Sequence, residues 1–179
     1  ITPTVAEALF VALSTDTGWF KFGNADSRIF KSAASLIDAG ARPAEVYRKL
    51  YQCVTPARMR LMLRMLNGMQ LLHDGQIAVQ HIMRKDFDET GATGQDTENL
   101  IDECQKIGTV EVAVLLVELA DGGFRCSIRS KGKVDVQKIA ISYGGGGHTM
   151  ASGVTLPGPL DKAVKMIVEP AIEQLESGK

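Results

Sequence analysis

Four consecutive glycines followed by a histidine, Gly144-Gly145-Gly146-Gly147-His148, form the most unusual stretch of this sequence. Glycines leave a ribbon of backbone N–H groups free to adopt positive φ. Such a ribbon can wrap an anion, above all where a helix begins right after it and adds its positive end. A histidine at that junction can donate a hydrogen bond to a phosphate oxygen, or protonate one. The segment is not a Walker A loop, because Lys and Ser/Thr do not follow the last glycine. Nor is it the dinucleotide fingerprint, which needs a preceding strand and G-x-G-x-x-G spacing. A flexible linker is the competing reading. Linkers are usually flanked by polar residues, whereas Ile139, Ala140, Ile141 and Met150 surround this one.

A second group lies just upstream. Period-2 alternation puts Arg125, Ser127 and Arg129 on one face of a strand, and Ser130 and Lys131 follow at its end. Guanidinium groups suit bidentate phosphate contacts, and serine hydroxyls add donors. Exposed Arg and Ser most often form a solvated strand face. Closeness to the glycine run favours a phosphate site built from Arg129, Ser130, Lys131, Gly144, Gly145, Gly146, Gly147 and His148.

The third candidate is Asp16, within Leu13-Ser14-Thr15-Asp16-Thr17-Gly18-Trp19-Phe20. A lone aspartate after a helix is commonly a turn former or cap. It is also a natural ligand for Mg²⁺ or Mn²⁺, although one carboxylate cannot hold a catalytic metal. His73 and His81 make no pair with metal-ligand spacing. Met62, Met65 and Met69 read as core packing, and Arg58, Arg60 and Arg64 beside them as a solvated face.

The elements that must position these groups change character along the chain. Helical periodicity dominates the first third. Val5, Ala8, Leu9 and Ala12 predict a first helix stopping near Ser14. A second, capped by Asp26 or Ser27, carries Ile29, Phe30, Ala33, Ala34 and Ile37 and stops at Gly40. Pro43 and Pro56 start two more. The longer one has Leu61, Met65, Leu66, Met69 and Leu72 on one face and closes at Asp74-Gly75. From there strands are expected at residues 77–84, 110–119 and 124–129, the last two joined by the turn Asp121-Gly122-Gly123. A short helix holding Leu100, Ile101 and Cys104, a helix over 134–142, a short strand at 154–156 and a final helix interrupted by Pro170 complete the pattern. The expected fold is therefore α/β: a helical piece at residues 1–55, a linker helix at 56–75, and a compact mixed-sheet domain at 76–179.

Composition bounds the function. The 179 residues carry 20 Lys plus Arg against 21 Asp plus Glu, a net charge of −1 that excludes a globally basic nucleic-acid wrapper but not a local basic site. With 45% hydrophobic and 23% charged residues the chain is a folded protein, not a disordered tail. The longest apolar run, Val112 to Val117, is far too short to span a bilayer. Cys53, Cys104 and Cys126 make neither a disulfide framework nor a zinc knuckle, and the expected location is the reducing cytoplasm.

In this order the three features resemble the DHH phosphoesterase superfamily, and within it the nanoRNase branch. The segment from Leu13 to Phe20 looks like the last motif of the DHH catalytic domain, whose aspartate is a metal ligand. Arg129-Ser130-Lys131-Gly132, Val134-Asp135-Val136 and Ile139-Ala140 lead into the Gly144–His148 run and Ala151-Ser152-Gly153. Together they look like the signature of the DHH-associated substrate domain. Ser152 stands where Ala is more usual. The family's earlier metal motifs, Asp-x-Asp, a further Asp and Asp-His-His, are absent, and the chain opens at Ile1 directly into a helical pattern. The resemblance thus implies the C-terminal half of such an enzyme, a fragment inert by itself. It also implies a centre of two Mn²⁺ ions with Asp16 as one ligand, and a substrate that is a short RNA or nucleotide phosphate held by Arg129, Ser130, Lys131, the glycines and His148. No membrane partner is implied; a homodimer is possible. The alternatives are a non-catalytic nucleotide- or nucleic-acid-binding module, and an exopolyphosphatase, pyrophosphatase or single-strand exonuclease of the same superfamily.

Overall fold

The computed structural model describes residues 1–178, which divide into two compact units after Val54. The first contains α1 (Pro3–Asp16), α2 (Ser27–Asp38) and α3 (Pro43–Tyr51). Each start is chemically marked: Thr2 caps α1 ahead of Pro3, Asp26 accepts hydrogen bonds from the backbone N–H groups of Arg28 and Ile29, and Pro43 opens α3. The core gathers Ala6, Phe10, Ala33, Leu36, Ala41 and Val46, with Trp19 and Phe20 packed against it. The buried face of α1 is not the expected one. Phe10 sets it by meeting the Trp19 and Phe20 rings at 6.0 Å each, so Ala6, Phe10 and Ser14 turn inward while Val5 and Leu9 stay exposed.

The second unit begins with α4 (Pro56–Asn67), capped by Thr55. There follow β1 (Gln70–Leu72), β2 (Ile77–Ile82), α5 (Arg84–Thr90), a 3-10 turn at Gly94–Thr97, α6 (Asp102–Gln105), β3 (Val112–Glu118) and β4 (Phe124–Ser130). The chain closes with α7 (Val136–Ser142), β5 (Gly146–His148), β6 (Ala151–Leu156) and α8 (Leu160–Ser177). The strands form one mixed sheet in the order β1-β2-β3-β4-β6-β5; β2 and β3 are parallel and every other pair is antiparallel. A parallel neighbour needs a crossover, and α5, the 3-10 turn and α6 provide it.

Both faces of β2 and β3 are covered. On one, α7 and α8 pack against Val112, Val114, Leu116, Phe124, Cys126 and Ile128. On the other, Leu61, Met65, Leu100, Ile101 and Cys104 pack against Ala78, Ile82, Ala113, Leu115 and Val117. The helix expected to link two domains over 56–75 is thus part of this second layer, with Leu61 and Met65 fully buried, and it ends at Asn67 because residues 70–72 pair with β2 as a strand. The three arginines expected to be a solvated face tie its loops down instead. Arg58 donates to the carbonyls of Asp96 and Glu98, Arg60 to that of Thr90, and Arg64 pairs with Asp86 and Glu89.

The second layer covers β2 and β3 and then ends. On that side, Arg125 of β4 and Gly153 and Thr155 of β6 are exposed, Ser127, Arg129 and Ala151 are half-buried, and β5 is exposed along its length. The alternation read from the sequence is present in β4, where Phe124, Cys126 and Ile128 face the core.

Candidate functional site on the open face of the sheet

The glycine run does not lead into a helix; it follows one. Gly144 and Gly145 donate their N–H groups to the carbonyls of Ile141 and Ala140, closing the C-terminal end of α7. The dipole presented there is the negative one, so the expected helix-end anion site is not formed. Gly146, Gly147 and His148 instead make β5, an edge strand that turns back through Thr149 and Met150 into β6. Glycines are required here for packing. A Cβ on Gly145 would lie 2.4 Å from the Gly153 carbonyl oxygen, and one on Gly147 2.5 Å from that of Ala151, with Gly147 at φ +141°.

Register converts this hairpin into a platform. Gly146 pairs with Gly153, which pairs with Ser127; His148 pairs with Ala151, which pairs with Arg129. Directly opposed residues share a face. His148 and Arg129 therefore flank one open surface, two strands or about 10 Å apart, with only Ala151 between their rows and a floor of glycine beside them. An imidazole and a guanidinium on one open face, over a floor of small residues, can hold an anion of phosphate size from two sides.

The platform ends at a step where the helical layer begins. A cavity of about 220 Å³ lies in that step, with Arg125, Ser127 and Arg129 on the sheet side and Thr97, Glu98, Asn99 and Ile101 on the helical side. Arg125 Nη2 donates to Thr97 Oγ1 at 2.6 Å. Arg129 Nε sits 3.8 Å from Asp102 Oδ1, its side chain 28% exposed, so the guanidinium is oriented without being used up.

Ser130 is placed differently from Arg129. It points to the opposite side, is 4% exposed, and its hydroxyl is fully engaged. Oγ donates to Glu111 Oε1 at 3.3 Å and accepts from the N–H groups of Gly132 (3.0 Å) and Val134 (3.3 Å). Glu111, itself buried, also accepts from Lys133 N at 2.7 Å. Ser130 thus folds the turn after β4 and does not face a ligand. Lys131 is exposed, but its Nζ donates to the Ile107 carbonyl at 2.9 Å, away from the glycine hairpin. The sequence does not single out Asn99 and Glu111, because their places come from a crossover loop and a strand start that carry no motif.

Asp16 ends α1 in the first unit. It is exposed, and Asn24 Nδ2 donates to its carbonyl and to Oδ2. Buried Ser14 and Thr17 bond back to the helix, and Gly18, Trp19 and Phe20 all take left-handed φ, so the turn beside the aspartate is tightly specified. Among the described residues no three His, Cys, Asp or Glu side chains come together to hold a metal ion. A two-metal centre does not fit the groups of this chain alone. Nor is a thiol available on the platform: burial pushes Cys126 up to about 12, and burial followed by the Glu103 charge pushes Cys104 to about 11.

Comparison with known proteins agrees with this architecture. Residues 74–176 match the DHHA1 domain. The chain is 31% identical over 175 residues to the bifunctional oligoribonuclease and PAP phosphatase NrnA of Thermus thermophilus, covering 97% of this chain and 52% of that protein. The Bacillus subtilis protein of the same description is 30% identical over 156 residues, covering 84% and 47%. An exopolyphosphatase-related protein from Bacteroides fragilis superposes with a TM-score of 0.92 at 26% identity, covering 99% of this chain and 52% of that one. The chain spans about half the length of the curated relatives it matches. Its sheet, its glycine–histidine hairpin and the matched residues together establish that this chain belongs to the DHHA1 domain family, related to the DHH phosphoesterases its motifs resemble.

Proposed function

We propose that this chain supplies the substrate-holding part of a DHH-family phosphoesterase that hydrolyses short oligoribonucleotides, nucleoside 3′,5′-bisphosphates, or both. The observation that carries the reading is the row His148–Ala151–Arg129 beside the Gly146–Gly153–Ser127 row, an open two-sided anion platform next to a polar cavity. Arg129 and His148 hold and orient a phosphate, the glycine floor lets it approach the backbone, and Glu111 and Ser130 keep the following turn in place. Asp16 is proposed as one ligand of a two-Mn²⁺ centre whose other ligands lie outside this chain; such a centre activates water and stabilises charge on phosphorus. The chain by itself therefore binds nucleotide without turning it over. The whole protein is proposed to be cytoplasmic and to form a homodimer. No helix among the described residues is long and apolar enough to cross a membrane.

The test is binding of 3′-phosphoadenosine 5′-phosphate and of a 5′-labelled diribonucleotide to the chain by calorimetry, with Arg129→Ala and His148→Ala as variants. Both variants are expected to weaken binding about tenfold or more, the loss of one charge-assisted contact, at an unchanged melting temperature. Equal affinities across the three proteins would refute the role. Polyphosphate is included as a competitor, because the Bacteroides fragilis neighbour is described as exopolyphosphatase-related. Tighter binding of polyphosphate than of either nucleotide would move the assignment to that branch.

A further inference from the structure

Four successive carbonyls at the tip of the glycine hairpin are each taken by a donor from outside the turn. Gln137 Nε2 donates to the Gly147 carbonyl at 2.7 Å and Ser152 Oγ to that of His148 at 2.8 Å. The N–H groups of Val136 and Ser130 donate to the carbonyls of Thr149 and Met150, each at 3.0 Å. The last two donors are backbone and come with the fold. The first two are side chains, and neither belongs to the phosphate platform described above.

Both side chains act from behind it. Ser152 is paired with Ile128, which faces the core, so its side chain lies on the side covered by α7 and α8, where it is 4% exposed. Gln137 projects from α7, which packs against β5 and β6 on that same side. Arg129 and His148 stand on the other side of the sheet. A ligand on the platform is therefore out of reach of Ser152 and Gln137; what they hold is the pair of peptide units that carries His148.

The need for such a grip comes from the residues before the histidine. Four glycines in succession have the widest backbone freedom of any sequence. The strand they enter, β5, has three residues, is exposed along its length and has a strand neighbour on one side only. A short exposed edge of this kind opens readily. An imidazole carried on it has to be ordered at the moment of binding, which costs affinity. Alanine, the residue more usual at position 152 in the family pattern, has no donor to offer the His148 carbonyl.

We propose that Ser152 and Gln137 are positioning residues for His148, fixing the imidazole at the edge of the open face before a ligand arrives. The inference rests on the phosphate-platform reading above and adds to it a determinant that the family's usual alanine cannot supply.

The probe is 3′-phosphoadenosine 5′-phosphate, titrated by calorimetry into the full chain and its Ser152→Ala and Gln137→Met variants, each made also in His148→Ala and Arg129→Ala backgrounds. In the wild-type background each is expected to weaken binding about threefold to tenfold, the net worth of one neutral hydrogen bond. After His148→Ala the same substitutions cost nothing further, whereas after Arg129→Ala they cost the same factor as in the wild type. Amide hydrogen exchange without ligand becomes faster at residues 146–150 in both variants and stays unchanged in β4. Gln137 is only half-buried, so its variant carries the test even where Ser152→Ala melts early. No loss in the wild-type background, or a loss that persists in full after His148→Ala, overturns the positioning role while the platform stands. A loss that also disappears after Arg129→Ala shows the platform failing as a whole and overturns the role too. A His148→Ala protein that binds like the wild type removes the platform reading and this inference with it.

Discussion

The glycine hairpin makes opposite demands at adjacent positions, and alanine substitutions separate them. Gly147 has φ +141°, and a Cβ there would lie 2.5 Å from the Ala151 carbonyl oxygen and 2.6 Å from Ser152 Cα. Both obstacles are backbone of the paired strand, so the hairpin must open to make room. Strain at such a φ costs of the order of 1–3 kcal/mol before the lost β5–β6 pairing is counted. At Gly146 a Cβ meets nothing within 4 Å, and its φ lies outside the left-handed region. Gly146→Ala should therefore leave stability unchanged or raise it by about 0.4–1 kcal/mol through the unfolded chain. The same methyl stands in the row Gly146–Gly153–Ser127, on the face proposed to hold the phosphate. It holds the anion off the backbone and stretches hydrogen bonds past about 3.5 Å. Losing one charge-assisted bond costs about 1.5–3 kcal/mol, or roughly tenfold or more in affinity. Thermal melts and calorimetric titration with 3′-phosphoadenosine 5′-phosphate read the two effects. Gly147→Ala should lower the melting temperature by several degrees, since each 1 kcal/mol moves a unit of this size by about 3–5 °C. Gly146→Ala should melt like the wild type and bind poorly. A Gly146→Ala protein that binds normally would refute the platform, and a Gly147→Ala protein that melts normally would refute the hairpin packing.

Removing the Ser130 hydroxyl leaves the N–H groups of Gly132 and Val134 without their acceptor and Glu111 Oε1 with the Lys133 N–H alone. Ser130→Ala should cost about 1–3 kcal/mol, seen in urea unfolding, and a wild-type midpoint would show that the turn is held by other means. Asp96 is held below the usual carboxylate range, first by the Thr93 backbone N–H and then by the Thr93 and Thr55 hydroxyls and the Arg58 charge, against a burial effect that raises it. Its folded pKa lies below its unfolded value of about 3.9, so it stabilises the fold above that pH and the contribution is lost as pH falls through the folded pKa. Unfolding free energy measured between pH 5 and 3 should consequently fall less steeply in Asp96→Asn than in the wild type; parallel slopes would contradict this. Cys53 is exposed, whereas Cys104 and Cys126 are buried with pKa values raised to about 11 and about 12. A thiol reagent at pH 8 should therefore modify one cysteine in the native protein and three after denaturation; two or three fast native reactions would show that the cores open readily.

The parts of the fold that are legible in sequence are those where local chemistry and burial point the same way. Asp26 as the cap of α2, Pro43 and Pro56 as helix starts, and the alternation of β4 are examples. What stays hidden depends on tertiary partners. The face of α1 follows Phe10, because its ring has Trp19 and Phe20 to meet; Val5 and Leu9 satisfy helical periodicity equally well yet lie exposed. β1 and α5 are too short for periodicity to register, with three and seven residues. β5 has almost no side chains for a period to act on.

The same contrast governs the site. Glycine identity tells that the backbone must come close to something, but not whether that something is a ligand or the next strand. For Gly145 and Gly147 it is the next strand, with the Gly153 and Ala151 carbonyls in contact distance; for Gly146 the space is open. Only register separates these cases, since it sends odd and even positions of β5 to opposite faces. Register likewise separates Arg129 from Ser130, adjacent in sequence and alike in their suitability as phosphate donors. One faces the platform, while the other is sealed beneath the turn by Glu111, Gly132 and Val134. The proposed site is open because the layer of α4, α5 and α6 stops at β3 and leaves β4, β6 and β5 bare on that side. Arg125, Ser127 and Arg129 stand at that margin, so a ligand held as proposed would touch sheet, glycine hairpin and crossover loop at once.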